Sequence, residues 1–145
     1  MSPDRRKKLI IPTVGLSLMT VVSAVAGLNM AVPSMARSTG ATSAEITWII
    51  DAYTVVFASL LFLAGAISDK YGRKRILVAG LVIYSVVASF GLFATSPQQL
   101  IAIRILMGFG AAAIMPSTLS VITTSFEGEE RGKAVSIWVG IAGGG

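Results

Sequence analysis

Four long stretches of this chain carry almost no charge. Leu9–Met35 and Ile76–Ala94 have none, Ile46–Ile67 has only Asp51, and Leu100–Phe126 has only Arg104. Crossing the hydrocarbon of a bilayer takes about 20 predominantly apolar residues in a helix, and all four runs are of that order. Backbone in lipid must satisfy its hydrogen bonds internally, so such runs fold as helices. A fifth uncharged run, Ala134–Gly145, is too short to cross and is expected to be the beginning of a further span. The sequence therefore predicts an all-α integral membrane fold. Its spans are expected at 9–35, 46–67, 76–94 and 98–126, with an incomplete one at 132–145, after a basic segment at 1–8.

Composition agrees with a lipid solvent. The chain is 54% hydrophobic and 13% charged, whereas soluble domains carry about 25% charged residues. There is no Cys, hence no disulfide framework or thiolate metal site. There is no His, the commonest general base and metal ligand. The glycine-basic stretch Gly72–Gly80 lacks the order of a phosphate-binding loop. No enzymatic activity, cofactor or metal is expected. The net charge of +5 is not a nucleic-acid stripe, because the basic residues sit in blocks at the ends of apolar runs. The expected surroundings are the lipid bilayer and further helices of a bundle.

Those blocks predict orientation, since Lys and Arg concentrate in cytoplasmic links. Arg5, Arg6, Lys7 and Lys8 precede the first run, Lys70, Arg73, Lys74 and Arg75 join the second to the third, and Arg131 and Lys133 precede the fifth. The intervening links hold only Arg37. The N-terminus and the 68–75 link are expected in the cytoplasm, the 38–45 and 95–99 links outside, in a bacterial plasma membrane. The basic start and Ala24-Val25-Ala26 resemble a cleavable secretory signal. The apolar run continues past Ala26 to Val32, which favours an uncleaved span. Thr42 with Glu45, and Ser96 with Pro97 and Gln99, have the spacing of helix starts before the second and fourth spans.

Polar residues inside spans are costly and so carry the functional reading. Counted from their span starts at 1.5 Å per residue, Asp51 lies about 8 Å deep and Arg104 about 10 Å, on the same side. An Asp51–Arg104 pair is expected, either as a fixed salt bridge or as a proton switch. Asn29 is a candidate for bonding between helices or for a substrate or proton path. Trp48 and Tyr53 suit an interfacial belt, with Tyr53 also a candidate path residue. Met107 and Met115 offer adaptable apolar surface or simple packing. Gly108, Gly110, Ala112 and Pro116 read as packing or kinking positions.

Gly65-Ala66-Ile67-Ser68-Asp69-Lys70-Tyr71-Gly72-Arg73-Lys74-Arg75 resembles the signature loop of the major facilitator superfamily, G-x-L-x-D-x-x-G-R-K/R-K/R, with Ile67 at the usual Leu. Arg104–Ala113, "RILMGFGAAA", is similar to the family's fourth-span motif, with Met107 at a usual Gln. "WVGIAGGG", with Gly143 and Gly144, resembles the opening of the antiporters' fifth-span motif. "LNMAVPSM" and "WIIDAYTVVFASLLFLAGAISD" resemble the fourteen-span drug:proton antiporters. That subgroup commonly has an Asp five residues before Asn29, where this chain has Ala24.

The resemblance implies the N-terminal part of a helix bundle that exchanges protons for small hydrophobic or cationic substrates. It implies that Asp69 and Arg73, with Lys74, latch the outward-facing state, that Gly65 and Gly72 allow close packing, and that Glu130 and Arg131 are partners of the latch. It makes Asp51 and Arg104 the proton-coupling candidates. A metabolite facilitator of the same family and a truncated, non-transporting membrane protein stay open as alternatives.

Overall fold

The computed structural model describes residues 3–143, with side chains described except for residues 3–8, 35 and 36. Five α-helices follow one another: α1 Pro3–Thr39, α2 Ser43–Tyr71, α3 Arg73–Phe90, α4 Pro97–Ser125 and α5 Gly128–Ala142. A single 3-10 turn, Gly91–Phe93, extends α3. No strand occurs among the described residues. Four helical segments are long and apolar enough to cross a membrane: Leu9–Ser34, Ser43–Tyr71, Arg73–Phe93 and Pro97–Ser125.

The helices overrun the apolar runs, because a helix ends at its capping chemistry and not where hydropathy stops. α1 already includes residues 3–8 of the expected separate basic segment and continues to Thr39. α2 starts behind a complete capping box. The Thr42 hydroxyl accepts from the Glu45 backbone N–H, and the Glu45 carboxylate accepts from Thr42 N–H at 2.8 Å. α4 starts behind Ser96, whose hydroxyl accepts from Gln99 N–H, with Pro97 in the first turn.

The 68–75 segment, expected as a link, is almost entirely helical. Only Gly72 separates α2 from α3, at φ 100°, ψ 123°. A side chain rarely adopts that φ, so Gly72 supplies the reversal. A Cβ there would meet nothing within 4 Å, so Gly72 does not serve close helix packing among the described residues.

α4 is the central helix. Twelve of its 29 residues are buried, against three of 29 in α2 and three of 18 in α3. Gly108 and Gly110 let α2 and α3 approach it. A Cβ on Gly108 would lie 2.9 Å from Val56 Cβ and 3.0 Å from Tyr53 O, on α2. A Cβ on Gly110 would lie 2.9 Å from Tyr84 Cβ and 3.1 Å from Gly80 O, on α3. Small residues at such contacts are how helices associate in lipid, where the solvent is as apolar as the side chains. The middle of the core joins Val21, Leu77, Tyr84, Met107, Ala111 and Ile114. Tyr84 is fully buried and donates its hydroxyl to Val21 O at 3.0 Å, tying α3 to α1. α5 packs with α1 and α4 through Ile122, Phe126, Ala134 and Trp138. Met30, Phe62, Leu92 and Phe93 point outward, as lipid-facing residues do.

Candidate functional site

Two polar centres sit on α4, one toward each end. The first lies under the Gly72 turn. Arg73 approaches Asp69 Oδ1 with Nε at 3.2 Å and Nη2 at 3.1 Å. The spacing of four residues across a one-residue turn places them together. Arg73 Nη1 donates to Ser120 O on α4 at 3.3 Å. Asp69 is largely exposed and Arg73 about one-third exposed. The pair therefore sits at the rim, where a partner from elsewhere can still reach the carboxylate. Gly65 faces Pro116, and a Cβ there would sit at ordinary contact distance, 3.7 Å. The expected need for glycine at 65 is thus not seen among the described helices. Lys74 is exposed, as are Glu130 and Arg131 on the first turn of α5. On that same turn Lys133 pairs with Glu129 at 2.9 Å.

Beneath the turn runs a set of hydroxyl contacts that hydropathy reading missed. Ser68 and Ser117, both at most 1% exposed, share a hydrogen bond of 2.8 Å between α2 and α4. The indole N–H of Trp138 on α5 donates to Thr118 Oγ1 at 3.1 Å, and Thr118 Oγ1 donates to Met115 O at 2.8 Å. A signal existed. Gly65 and Ser68 lie three apart on α2, and Ser117 and Ser120 three apart on α4, so each pair shares a helix face.

The second centre is Arg104, 2% exposed. Its Nε donates to Ile49 O at 2.8 Å, and its Nη2 donates to Asn29 Oδ1 at 2.9 Å and more weakly to Ile50 O at 3.4 Å. Its Cζ lies 5.0 Å from the Tyr53 ring centroid, within cation–π range. Tyr53 in turn stacks on Phe57 at 6.0 Å. Arg104 Nη1 is buried with no hydrogen-bond partner among the described residues. The guanidinium thus joins α1, α2 and α4 through neutral oxygens and an aromatic face.

The expected Asp51–Arg104 pair does not form. Among the described residues no ion pair joins the two, and Asp51 is exposed. The reason is azimuth. Arg104 does reach this turn of α2, at Ile49 O and Ile50 O, but Ile49 and Ala52 are its buried positions, and at 3.6 residues per turn Asp51 falls off that face. Asn29 takes the place assigned to Asp51 and bonds between helices. Met107 is fully buried in the core beside Tyr84. Pro116 lies within the continuous α4, and Gly143 caps α5 with its N–H on Val139 O. Gly144 falls outside the described residues.

The family model of the Major Facilitator Superfamily matches residues 14–145. The chain is 35% identical over 144 residues to puromycin resistance protein pur8 of Streptomyces alboniger, covering 99% of this chain and 29% of that protein. It is 36% identical over 116 residues to cephamycin export protein CmcT of Amycolatopsis lactamdurans, covering 79% and 24%. It is 37% identical over 112 residues to multidrug efflux pump LfrA of Mycolicibacterium smegmatis, covering 77% and 22%. The chain thus spans less than a third of each relative's length. With the matched model covering nearly the whole sequence, the chain belongs to the Major Facilitator Superfamily.

Proposed function

We propose that the chain is part of a proton-coupled exporter of small hydrophobic or cationic compounds that works by alternating access. The observation that carries this is the buried, permanently charged Arg104 inside an apolar helix array. Such a charge is costly and is kept in spans for substrate or ion pathways. Asp51 stands on the same turn of α2 as the two carbonyls that Arg104 holds. It is the only carboxylate inside the apolar runs, and no first-span acid stands at Ala24. The efflux direction is supported by the relatives, which are named for resistance, export and efflux.

In this reading the N-terminus and the Gly72 turn face the cytoplasm of a bacterial cell. The Asp69–Arg73 pair latches the outward-facing state, with Lys74, Glu130 and Arg131 able to join it. Asp51 takes and releases the proton. The remaining helices supply the rest of the cavity, in the manner of transporters built from rocking repeats. Drug-efflux assays on the complete transporter in inverted vesicles test it. An imposed proton gradient should drive accumulation of a cationic dye, and collapsing the gradient should stop it. Gradient-independent movement would remove the coupling.

A further inference from the structure

Residues 116–120 of α4 touch three other helices within five positions. Pro116 packs on Gly65 of α2, and Ser117 bonds Ser68 of α2. Thr118 accepts from Trp138 of α5, and the Ser120 carbonyl accepts from Arg73 of α3. Ser68, Ser117 and Thr118 are all at most 1% exposed. A buried hydroxyl without a partner is costly, so these bonds specify one arrangement. Pro116 withholds its own N–H from the α4 ladder and clashes with the preceding turn, which makes that point the natural place for α4 to bend. The polar contacts begin immediately after it. They also reach the Asp69–Arg73 pair by two routes. Ser68 precedes Asp69 and accepts the Gly72 N–H at 3.0 Å, and Ser120 holds the Arg73 guanidinium.

We propose that Ser117 and Thr118 are positioning residues for the cytoplasmic latch. Ser117 binds the end of α2 and Thr118 the body of α5 to the part of α4 beyond Pro116, where the Ser120 carbonyl already holds Arg73 at the start of α3, so that turn and α5 move as one unit when α4 bends. The proposal rests on reading the chain as part of an alternating-access transporter. It adds residues outside the signature loop and a mechanical link between that loop and α5.

Residues 1–145 contain no Cys, and any cysteine in the rest of the transporter is first replaced by Ser. Lys70→Cys on α2 and Ser136→Cys on α5, both exposed, are spin-labelled in the complete transporter, and their distance distribution is measured with and without a proton gradient. The expected result is one narrow distance in both conditions. The Ser117→Ala/Thr118→Val double variant should broaden or split that distance and lower the maximal transport rate with little change in substrate KM. Thr118→Ser, which keeps the hydroxyl, should retain the single distance. An unchanged narrow distance in an inserted double variant overturns the proposal, as does a wild type whose distance already splits. If the double variant fails to insert, Ser117→Ala and Thr118→Val are measured singly by the same criterion. Failure of both to insert shows a folding requirement and also overturns the positioning role. Asp69→Asn is assayed in parallel. Full transport in that variant removes the latch reading by itself and leaves the distance result standing.

Discussion

Arg104 and Asn29 meet across α4 and α1 at 2.9 Å, Nη2 to Oδ1, so that a neutral amide takes one arm of a buried cation. Ile49 O takes Nε at 2.8 Å, and Nη1 has no hydrogen-bond partner among the described residues. Asn29 is therefore the only side chain that accepts a hydrogen bond from this charge among the described residues. Asn29→Ala should leave Nη2 with only the long Ile50 contact. A hydrogen bond to a charged group contributes about 1.5–3 kcal/mol in soluble proteins, whereas interhelical hydrogen bonds in membranes average about 0.6 kcal/mol and reach about 1.7. A lower melting temperature in detergent is expected for Asn29→Ala. Asn29→Asp, which adds a counter-charge, should melt at or above wild type. The reverse order would show that Asn29 is not holding the guanidinium.

Arg104→Lys should not substitute. The three partners lie on α1 and α2 and are reached by a planar fork, which a single ammonium does not reproduce. Transport near wild-type level in Arg104→Lys would mean that charge alone is needed at this position.

Gly110 is packed backbone to backbone against Gly80, with Tyr84 closing the contact. Gly110→Ala places a methyl 2.9 Å from Tyr84 Cβ and 3.1 Å from Gly80 O. Overpacking of this kind costs about 1–3 kcal/mol, and here it should also strain the Tyr84–Val21 hydrogen bond. Gly132→Ala, exposed and with nothing within 4 Å, serves as the comparison. Thermal unfolding should separate the two clearly, with Gly110→Ala the less stable.

The orientation is open to a direct measurement. Single cysteines at Thr95 and Lys74 occupy opposite ends of the helices and are both exposed. A membrane-impermeant thiol reagent added to intact cells should modify Thr95→Cys and spare Lys74→Cys. The opposite pattern inverts the topology drawn from the basic residues.

Spans and caps were legible in the sequence because hydropathy and capping chemistry are local properties, whereas the expected 68–75 link shrank to the single residue Gly72. Asp69 and Arg73 entered through the family resemblance, and their contact with each other across the one-residue turn is a finding of the structure. Arg104 was legible as a buried charge, but its partners were not. Depth follows from counting residues, whereas facing depends on how α1, α2 and α4 are rotated against one another. That rotation is set by contacts such as Gly108 on Val56 and Gly110 on Tyr84. The Ser68–Ser117 and Trp138–Thr118 contacts were hidden for a related reason. Serine and threonine in an apolar run can bond the preceding turn of their own helix, as Ser17, Ser59 and Ser89 do. Only packing separates those that reach across.

The position of Asp51 makes the coupling prediction sharper than a salt bridge would. A carboxylate paired with Arg104 would be held charged by it, and its loss would leave a buried cation unbalanced. Asp51 is instead exposed and outside the Arg104 hydrogen-bond set among the described residues. Asp51→Asn should therefore insert and melt like wild type while losing proton-driven accumulation of substrate in inverted vesicles. Downhill substrate movement should survive in the same variant, because Asn has nearly the size and shape of Asp. Asp51→Glu should retain part of the proton-driven activity with a displaced pH profile, since it keeps a titrating group one methylene further out. If Asp51→Asn accumulates substrate with the same gradient dependence as wild type, Asp51 is not the coupling acid. If instead its melting temperature falls as far as that of Asn29→Ala, Asp51 has a structural partner in the complete bundle, and the coupling role passes to another carboxylate.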